Sequence, residues 1–299
     1  TASALAAMEV AEQFKKVSIV TGAASLPITN EKCTPYSIHY VYDTYALSRG
    51  TGKAVVDSGK KTWFFVTADY AFGHTLEHDT TEVVAANGGK VLGSVKHPIN
   101  TQDFSSFMAQ AQASKAEVIG LANAGGDTIG SVKQAAELGI MGSKQTVVPL
   151  LMFISDIQAL GLKQTAGMNF TVGWYWDYND SNRKFAERFM KEFKGKAPTS
   201  VQAGVYSATM QYLKAIDATK TDNSDAVMKQ MMANRGWSNQ PSPVQTLDCM
   251  HASGVRETTD KRSGRKTFMR KARAAVIEVP ASDAHPVRFA VSSEHEQPR

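Results

Sequence analysis

Short apolar segments alternate with amphipathic helical segments along residues 61–151, and this alternation constrains the fold more than any other feature. The apolar segments predict strands at residues 62–66, 90–95, 117–121 and 146–151. The intervening pattern predicts helices at residues 72–86, 104–111 and 127–138. Strands that are apolar throughout and alternate with helices are typical of a parallel sheet covered on both faces. Pro149 weakens the last strand or places it at an edge of the sheet.

The segments around this region extend the same α/β pattern. Residues 1–16 predict a helix and residues 17–20 a strand, which a loop of small residues at 22–25 follows. Another strand is predicted at 165–173. Three helices follow it, at residues 181–193, 199–218 and 222–232. Beyond residue 233 neither the strand period nor the helix period is sustained, apart from one predicted strand at 274–279.

The positive charge of the chain lies mainly at its end. Residues 233–299 hold 11 Lys+Arg and 7 Asp+Glu, so they carry +4 of the formal net charge of +5. A nucleic-acid footprint belongs on a folded basic surface, whereas the body of this chain is close to neutral. We therefore expect no nucleic-acid partner.

The sequence also bears on membrane and redox context. No apolar run approaches the ~18 residues that a membrane-spanning helix needs. No secretory signal follows Thr1, so we expect that it was cleaved or that the chain begins internally. The two cysteines, Cys33 and Cys249, allow one disulfide and exclude a disulfide framework or a cysteine metal cluster.

Four segments together carry a resemblance to a known family: residues 22–25 (GAAS), 61–73 (KTWFFVTADYAFG), 101–107 (TQDFSSF) and 121–129 (LANAGGDTI). They resemble periplasmic substrate-binding proteins of ABC transporters, of the branched-chain amino acid type and especially the branch that takes aromatic acids. The resemblance covers residues 1–232 and implies an α/β fold of two Rossmann-like lobes with mostly parallel sheets, the type I periplasmic binding fold.

The resemblance also implies a division of the chain. We expect part of lobe I at residues 1–42, lobe II at 43–173, lobe I helices at 174–232 and a poorly ordered basic tail at 233–299. Family members have an additional βα region before the first helix and a different ending. We therefore expect an incomplete first lobe, in a chain truncated at its amino end. The tail is expected to be divergent or frame-shifted, which the alternative reading frames of the parent DNA would test.

The loop at residues 22–25 is the first candidate binding element. Loops at the carboxyl ends of parallel strands precede helix N-termini, whose free N–H groups and dipole attract anions. Small residues let the N–H groups of Ala23 and Ala24 approach a ligand, and Ser25 adds a hydroxyl. By resemblance this loop holds a ligand carboxylate, with Ser3 contributing from the first helix. An ordinary tight turn is the alternative.

Further candidates follow the strands of lobe II. By resemblance, the aromatic ring of Tyr70 closes on the ligand from across the cleft. Asn123, Gly125 and Asp127 follow a predicted strand and are candidate polar contacts. Asp127 has a competing role as the N-cap of its own helix. Packing at a sheet edge is the alternative for Tyr70.

Phe153 stands where amino-acid binders of this family carry an acid for the ligand ammonium. An apolar side chain cannot pair with a buried cation, so Phe153 favours an aromatic or aliphatic acid as ligand. Tyr42 and Asp43 fall where the chain is expected to cross between lobes, and residues 175–177 where it returns. These aromatics either form a ligand wall or pack between the lobes.

The enzyme patterns are weaker. Residues 74–78 (HTLEH) match a zinc-hydrolase pattern and can share a helix face, but exposed histidines are the simpler interpretation. The segment around Lys53 lacks a complete phosphate-loop pattern, and no nucleophile elbow is present. We expect no enzyme activity, no cofactor and no metal.

The sequence thus predicts a periplasmic or lipid-anchored solute-binding protein. It would capture a small carboxylate, an aromatic acid or branched-chain amino acid, and deliver it as a monomer to an ABC permease. The alternative is a ligand-sensing domain of a regulator or receptor with the same fold.

Overall fold

The computed structural model of the chain describes residues 1–233 and five short strands beyond them. The helices are α1 (Ala2–Gln13), α2 (Thr44–Leu47), α3 (Lys53–Asp57), α4 (Ala71–Ala86), α5 (Ser105–Ala113), α6 (Gly126–Glu137), α7 (Ile154–Leu160), α8 (Leu162–Thr165), α9 (Asp180–Glu192), α10 (Ser200–Thr219) and α11 (Ser224–Ala233). The strands are β1 (Ser18–Val20), β2 (Ser37–Tyr40), β3 (Thr62–Ala68), β4 (Lys90–His97), β5 (Val118–Ala122), β6 (Thr146–Pro149), β7 (Asn169–Val172), β8 (Thr246–Leu247), β9 (Glu257–Thr259), β10 (Lys266–Phe268), β11 (Ala275–Glu278) and β12 (Arg288–Val291).

A four-stranded parallel sheet forms the centre of the larger half, in the order β4-β3-β5-β6. Each of these strands was predicted, and the parallel arrangement is confirmed. Pro149 ends β6, which lies at the edge of this sheet, so the missing N–H interrupts no ladder. The carboxyl ends of the four strands therefore meet at one side of the sheet.

The central strands of this sheet are largely apolar, and β5 is buried at every position and β3 at most positions, whereas the edge strand β4 is exposed at alternate residues. Trp63 and Phe65 of β3 are fully buried toward one core cluster, whereas Val66 belongs to a second cluster on the other face. Helices α4, α5 and α6 pack near these strands. Burial of each large side chain contributes roughly 1.5–3 kcal/mol.

A three-stranded sheet, called the smaller sheet below, has the order β1-β2-β8, with β2 parallel to β1 and antiparallel to β8. A second three-stranded sheet has the order β12-β11-β7, and β10 pairs with β9. Strand β2 was not predicted, because the aromatic-rich stretch at residues 33–45 was interpreted as irregular. All four residues of Ser37–Tyr40 are buried, including polar Ser37 and His39. Tertiary partners therefore stabilise this strand, in spite of its polar residues.

The structure corrects two details of the sequence prediction. Residues 165–173 were predicted as one strand, but Thr165 ends α8 and only Asn169–Val172 is extended. The N-cap of α6 is Gly125 and not Asp127, which lies inside the first turn of the helix.

The strand predicted near residues 274–279 is present as β11, antiparallel to β7. The prediction that the tail at residues 233–299 is poorly ordered concerns residues that, apart from residue 233 and the five short strands, lie outside the described part of the chain.

The chain crosses between the two sheets at residues 41–43, close to its return after β7. Val41 has a φ of 88°, which is rare for a β-branched residue. A Cβ at Gly173 would lie 2.5 Å from the Val41 carbonyl oxygen, and one at Gly204 would lie 2.3 Å from Val41 Cγ2. Glycine is thus required at residue 173, where the two crossing segments touch, and at residue 204, where α10 meets Val41.

A buried histidine fixes the loop that follows β1. His39 is fully buried, and its Nε2–H donates to the Ala23 carbonyl oxygen at 2.7 Å, because that oxygen can only accept. Its Nδ1 accordingly accepts from the Thr29 hydroxyl at 2.6 Å. Burial lowers the pKa of His39 to about 4, so the ring is neutral at physiological pH.

No helix in the part of the chain that the structure describes is long and apolar enough to cross a membrane.

The first prediction concerns the pH dependence of stability. The pKa of His39 is depressed in the folded state, so its contribution is fully present above the ordinary value near 6.5 and is lost as pH falls toward 4. We expect the free energy of unfolding of the wild type to fall by about 3 kcal/mol more than that of His39→Gln between pH 6.5 and 4. Urea unfolding at several pH values measures it, and parallel pH profiles would contradict the assignment.

The second prediction concerns the crossing. Gly173→Ala places a methyl group against a carbonyl oxygen at a close approach that neither segment can relax, so unfolding free energy should fall by about 2–4 kcal/mol. Gly126→Ala is the matched control, since a Cβ there meets nothing within 4 Å and the residue lies in a helix. Equal stability of the two variants would show that the contact is not restrictive.

Candidate functional site

The loop at residues 22–25 lies at the carboxyl end of β1, beside the N-terminus of α1. The Ser25 hydroxyl is fully buried and lies 2.7 Å from the Thr1 hydroxyl, which joins the loop to the helix. Among the described residues, the N–H groups of Ala23, Ala24 and Ser25 have no hydrogen-bond partner. The first N–H groups of α1 also lack intrahelical acceptors, and no side chain caps them. This is an arrangement of neutral donors suited to an anion.

The carbonyl groups of the same loop point to other partners. The Ala24 carbonyl accepts from the Thr44 N–H at 2.8 Å, and the Ala23 carbonyl accepts from His39. The Gly22 carbonyl accepts from the Tyr42 hydroxyl at 3.0 Å. Three successive carbonyl groups are therefore held by the protein, which leaves the N–H groups available.

Ser3 lies in the first turn of α1 and is exposed, and the contact with Ser25 comes from Thr1 instead. Thr1 was missed by the sequence reasoning, although a threonine directly before a helix is a standard N-cap signal. The role of Ser3 as a ligand contact stays a prediction.

Tyr42 joins the loop to the larger half of the molecule. Its ring is buried and lies 6.2 Å from the ring of Phe153, between centroids. Burial raises the pKa of the Tyr42 hydroxyl, and the nearby hydroxyl of Tyr70 raises it further. Tyr42 is thus a neutral donor, and three of the predicted aromatic residues lie close together.

Tyr70 is the N-cap of α4 and is half-buried. Its pKa is raised mainly by burial and in addition by the negative charge of Asp127. Because β3 and β5 are neighbouring parallel strands, the loops that follow them lie at the same side of the sheet.

The loop after β5 contains Gly125 and Asp127. Gly125 has a φ of 59° and a ψ of −125°, a conformation that only glycine adopts readily, and the space beside it is open. Asp127 is buried, and its Oδ2 accepts from the Asn100 N–H at 3.2 Å. The structure therefore gives Asp127 one internal partner and leaves open space at Gly125.

Asn123 differs from the other candidates because its side chain points into the protein. It is fully buried, and its Nδ2 donates to His97 Nε2 and to Ser131 Oγ, at 3.1 Å each. Its Oδ1 accepts from the Thr128 hydroxyl at 2.8 Å. The amide is occupied by protein partners, and a direct ligand contact of Asn123 stays a prediction.

Phe153 precedes α7 and is half-buried, while its backbone N–H donates to Asp156 Oδ2 at 2.9 Å. Trp176 packs against the core clusters on both faces of the larger sheet. The rings of Tyr175 and Trp176 lie 6.0 Å apart. Aromatic residues thus line the return crossing after β7, just as Tyr42 lines the first crossing.

The zinc-like histidines lie on α4, the helix that begins after Tyr70. His74 Nε2 is 2.8 Å from Asp69 Oδ1, and His78 Nε2 is 3.5 Å from Glu82 Oε1, both at exposed positions. In the described residues no group of three or more ligating side chains is positioned for a metal.

Cys33 is disulfide-bonded. A structural disulfide is typical of proteins that fold in an oxidising compartment.

Comparisons with known proteins agree with this architecture. A periplasmic binding protein from Burkholderia mallei is 42% identical, with a TM-score of 0.80 over 98% of this chain and 73% of that one. A branched-chain amino acid ABC transporter periplasmic ligand-binding protein from Burkholderia xenovorans is 28% identical, with a TM-score of 0.74 over 97% and 74% of the two chains.

Among curated proteins, Leu/Ile/Val-binding protein homolog 6 of Brucella melitensis is 28% identical over 250 residues, which is 82% of this chain. The chain spans 63% of the length of that relative. Residues 1–258 match the model of the family described as periplasmic binding protein, so the match continues beyond residue 232, where we expected the resemblance to end. On this match, the chain belongs to the periplasmic binding protein family and has its α/β fold.

Proposed function

We propose that this protein captures a small organic carboxylate for import by an ABC transporter. The observation that carries the proposal is the set of free N–H groups of Ala23, Ala24 and Ser25 beside the uncapped N-terminus of α1. A carboxylate that accepts hydrogen bonds from these N–H groups would replace water there. It would form no ion pair, because the N–H groups are neutral. Neutral donors at a helix N-terminus bind anions and still release them.

The rest of the ligand would lie against aromatic rings. Tyr42 and Phe153 are in ring contact, and Tyr70 is near enough to influence the pKa of Tyr42. A planar apolar group gains more from such a wall than a short aliphatic chain does. Phe153 offers no partner for an ammonium group, so an aromatic acid fits this site better than a branched-chain amino acid.

Binding would proceed by closure of the two halves, because the carboxylate loop belongs to the smaller sheet and Tyr70, Gly125 and Phe153 belong to the larger one. A ligand that touches both halves stabilises only the closed state. The curated relative is a Leu/Ile/Val-binding protein homolog, and the relative from Burkholderia xenovorans is an ABC transporter component. These names, together with the disulfide of Cys33, support a periplasmic monomer that docks on a permease, with no covalent chemistry.

The third prediction tests the ligand class. The melting temperature should rise with benzoate or branched-chain amino acids, but not with nucleotides or benzamide. A ligand that binds only the native state stabilises it by RT ln(1+[L]/Kd), which is about 2.7 kcal/mol at a hundredfold excess over Kd. Ser25→Ala should weaken every carboxylate about tenfold by removing a hydroxyl beside the N–H cradle. Ser58→Ala, remote from the loop, should leave Kd unchanged. A chain that melts cooperatively and responds to none of these carboxylates would refute the proposal.

The fourth prediction tests the aromatic wall. Phe153→Asp would place a carboxylate next to the bound ring and should weaken benzoate binding at least about thirtyfold, because a buried unpaired charge is costly. Phe153→Leu keeps an apolar surface and should change Kd by less than about fivefold. Titration calorimetry of both variants measures the difference. If both variants bind benzoate equally, Phe153 does not line the ligand.

A further inference from the structure

His97 is a fully buried histidine at the carboxyl end of β4, and neither the sequence reasoning nor the proposed binding mechanism assigns it a role. The rings of Phe104 and Phe107 lie 4.8 and 5.9 Å from its ring, both edge-on. Both rings come from the start of α5, so an aromatic box holds the imidazole in one orientation.

The hydrogen bonds of His97 define its tautomer. Nδ1 is 2.8 Å from the carbonyl oxygen of Pro98, which can only accept, so Nδ1 carries the proton. In the neutral ring Nε2 is then an acceptor, and it receives the Asn123 amide N–H at 3.1 Å. Both ring nitrogens are satisfied by one neutral form.

The position of His97 in the sheet explains why this contact matters. Strand β3 lies between β4 and β5, and Ala68 at the end of β3 pairs with His97 in register. To reach Asn123 after β5, the side chain of His97 has to pass the carboxyl end of β3. At the same place the His97 carbonyl accepts from the Asp69 N–H at 2.7 Å. One residue thus joins the loops that follow three neighbouring strands.

Two of those loops carry candidate ligand residues. Asp69 directly precedes Tyr70, and Asn123 leads to Gly125 and Asp127. A second bond, from the Asn100 N–H to Asp127 Oδ2, reinforces the same connection. The Asn123 amide is also held by Thr128 and Ser131 of α6, so a displacement of Asn123 would be transmitted to the start of that helix.

We propose that His97 is a positioning residue that holds the Tyr70 loop and the loop at residues 123–127 in the geometry that binds ligand. It acts through Asn123, as a neutral acceptor, and does not touch the ligand. The effect on affinity rests on the proposed function, whereas the effect on the loops does not depend on it.

The fifth prediction is therefore tested first without ligand. His97→Phe keeps an aromatic ring between Phe104 and Phe107 but leaves the Asn123 donor unsatisfied. We expect hydrogen exchange of the backbone amides at 124–127 to accelerate about tenfold or more, with β1 and β2 unchanged. His97→Gln can offer an amide oxygen near the position of Nε2 and should restore most of the protection.

Met108→Ala is the matched control, because Met108 is fully buried on the same helix as Phe107 and touches none of these hydrogen bonds. It should lower the melting temperature without selective exchange at 124–127. If His97→Phe resembles Met108→Ala, or if the Gln and Phe variants behave alike, the hydrogen bond is not the cause and the inference fails.

A measurement on the wild type covers the case in which His97→Phe does not fold. The N–H···N contact should give a through-bond NMR coupling between Asn123 Nδ2 and His97 Nε2, with the ring proton on Nδ1. A ring protonated on Nε2 would overturn the proposal.

Ligand binding is the second arm, with benzoate as the probe. His97→Phe should weaken benzoate about tenfold, Met108→Ala less than twofold, and His97→Gln an intermediate amount. If His97→Phe binds benzoate with the affinity of the wild type, His97 does not influence ligand binding. If the wild type itself binds no carboxylate, the proposed function fails while the exchange experiment still decides the role of His97 in the loops.

Discussion

The crossing segment at residues 41–44 connects the two halves of the site, and the contacts that hold the loop at residues 22–25 depend on it. Val41 adopts a positive φ and packs against Gly173 and Gly204. The next residues turn toward the smaller sheet, where the Tyr42 hydroxyl and the Thr44 N–H hold two carbonyl groups of the loop at residues 22–25. Asp43 meanwhile caps α2 through the Ala46 N–H at 2.7 Å. Strain of about 1–3 kcal/mol at Val41 is tolerated because its surroundings over-determine the conformation.

The groups that surround the loop at residues 22–25 are neutral. His39 is kept uncharged by burial, and the tyrosine hydroxyls near the loop have raised pKa values. A buried lysine or arginine would bind a carboxylate strongly but would remain as an unpaired charge after release. Backbone N–H groups and hydroxyls have a smaller desolvation penalty, which suits a protein that must both take up and deliver its ligand.

The two buried histidines have analogous positions in the two halves. His39 lies on β2 and reaches the loop after β1, while His97 ends β4 and reaches the loop after β5. In each case one ring nitrogen donates to a backbone carbonyl and the other accepts from a side chain. An imidazole can do both at once without a charge, so each histidine supports its loop without adding a buried charge.

The sequence by itself determined the parallel sheet, because the apolar runs at 62–66 and 117–121 could be buried only between covering helices. It also determined that the GAAS loop follows a strand, since small residues after a β-branched run are a local signal. Tertiary structure alone decided that Ser37–Tyr40 is a strand and that Asn123 faces inward to His97. The same holds for Thr1, rather than Ser3, meeting Ser25. Those outcomes depend on partners that are distant in the sequence, such as Ser18 for Ser37 and Ser25 for Thr1, and no local periodicity encodes such contacts.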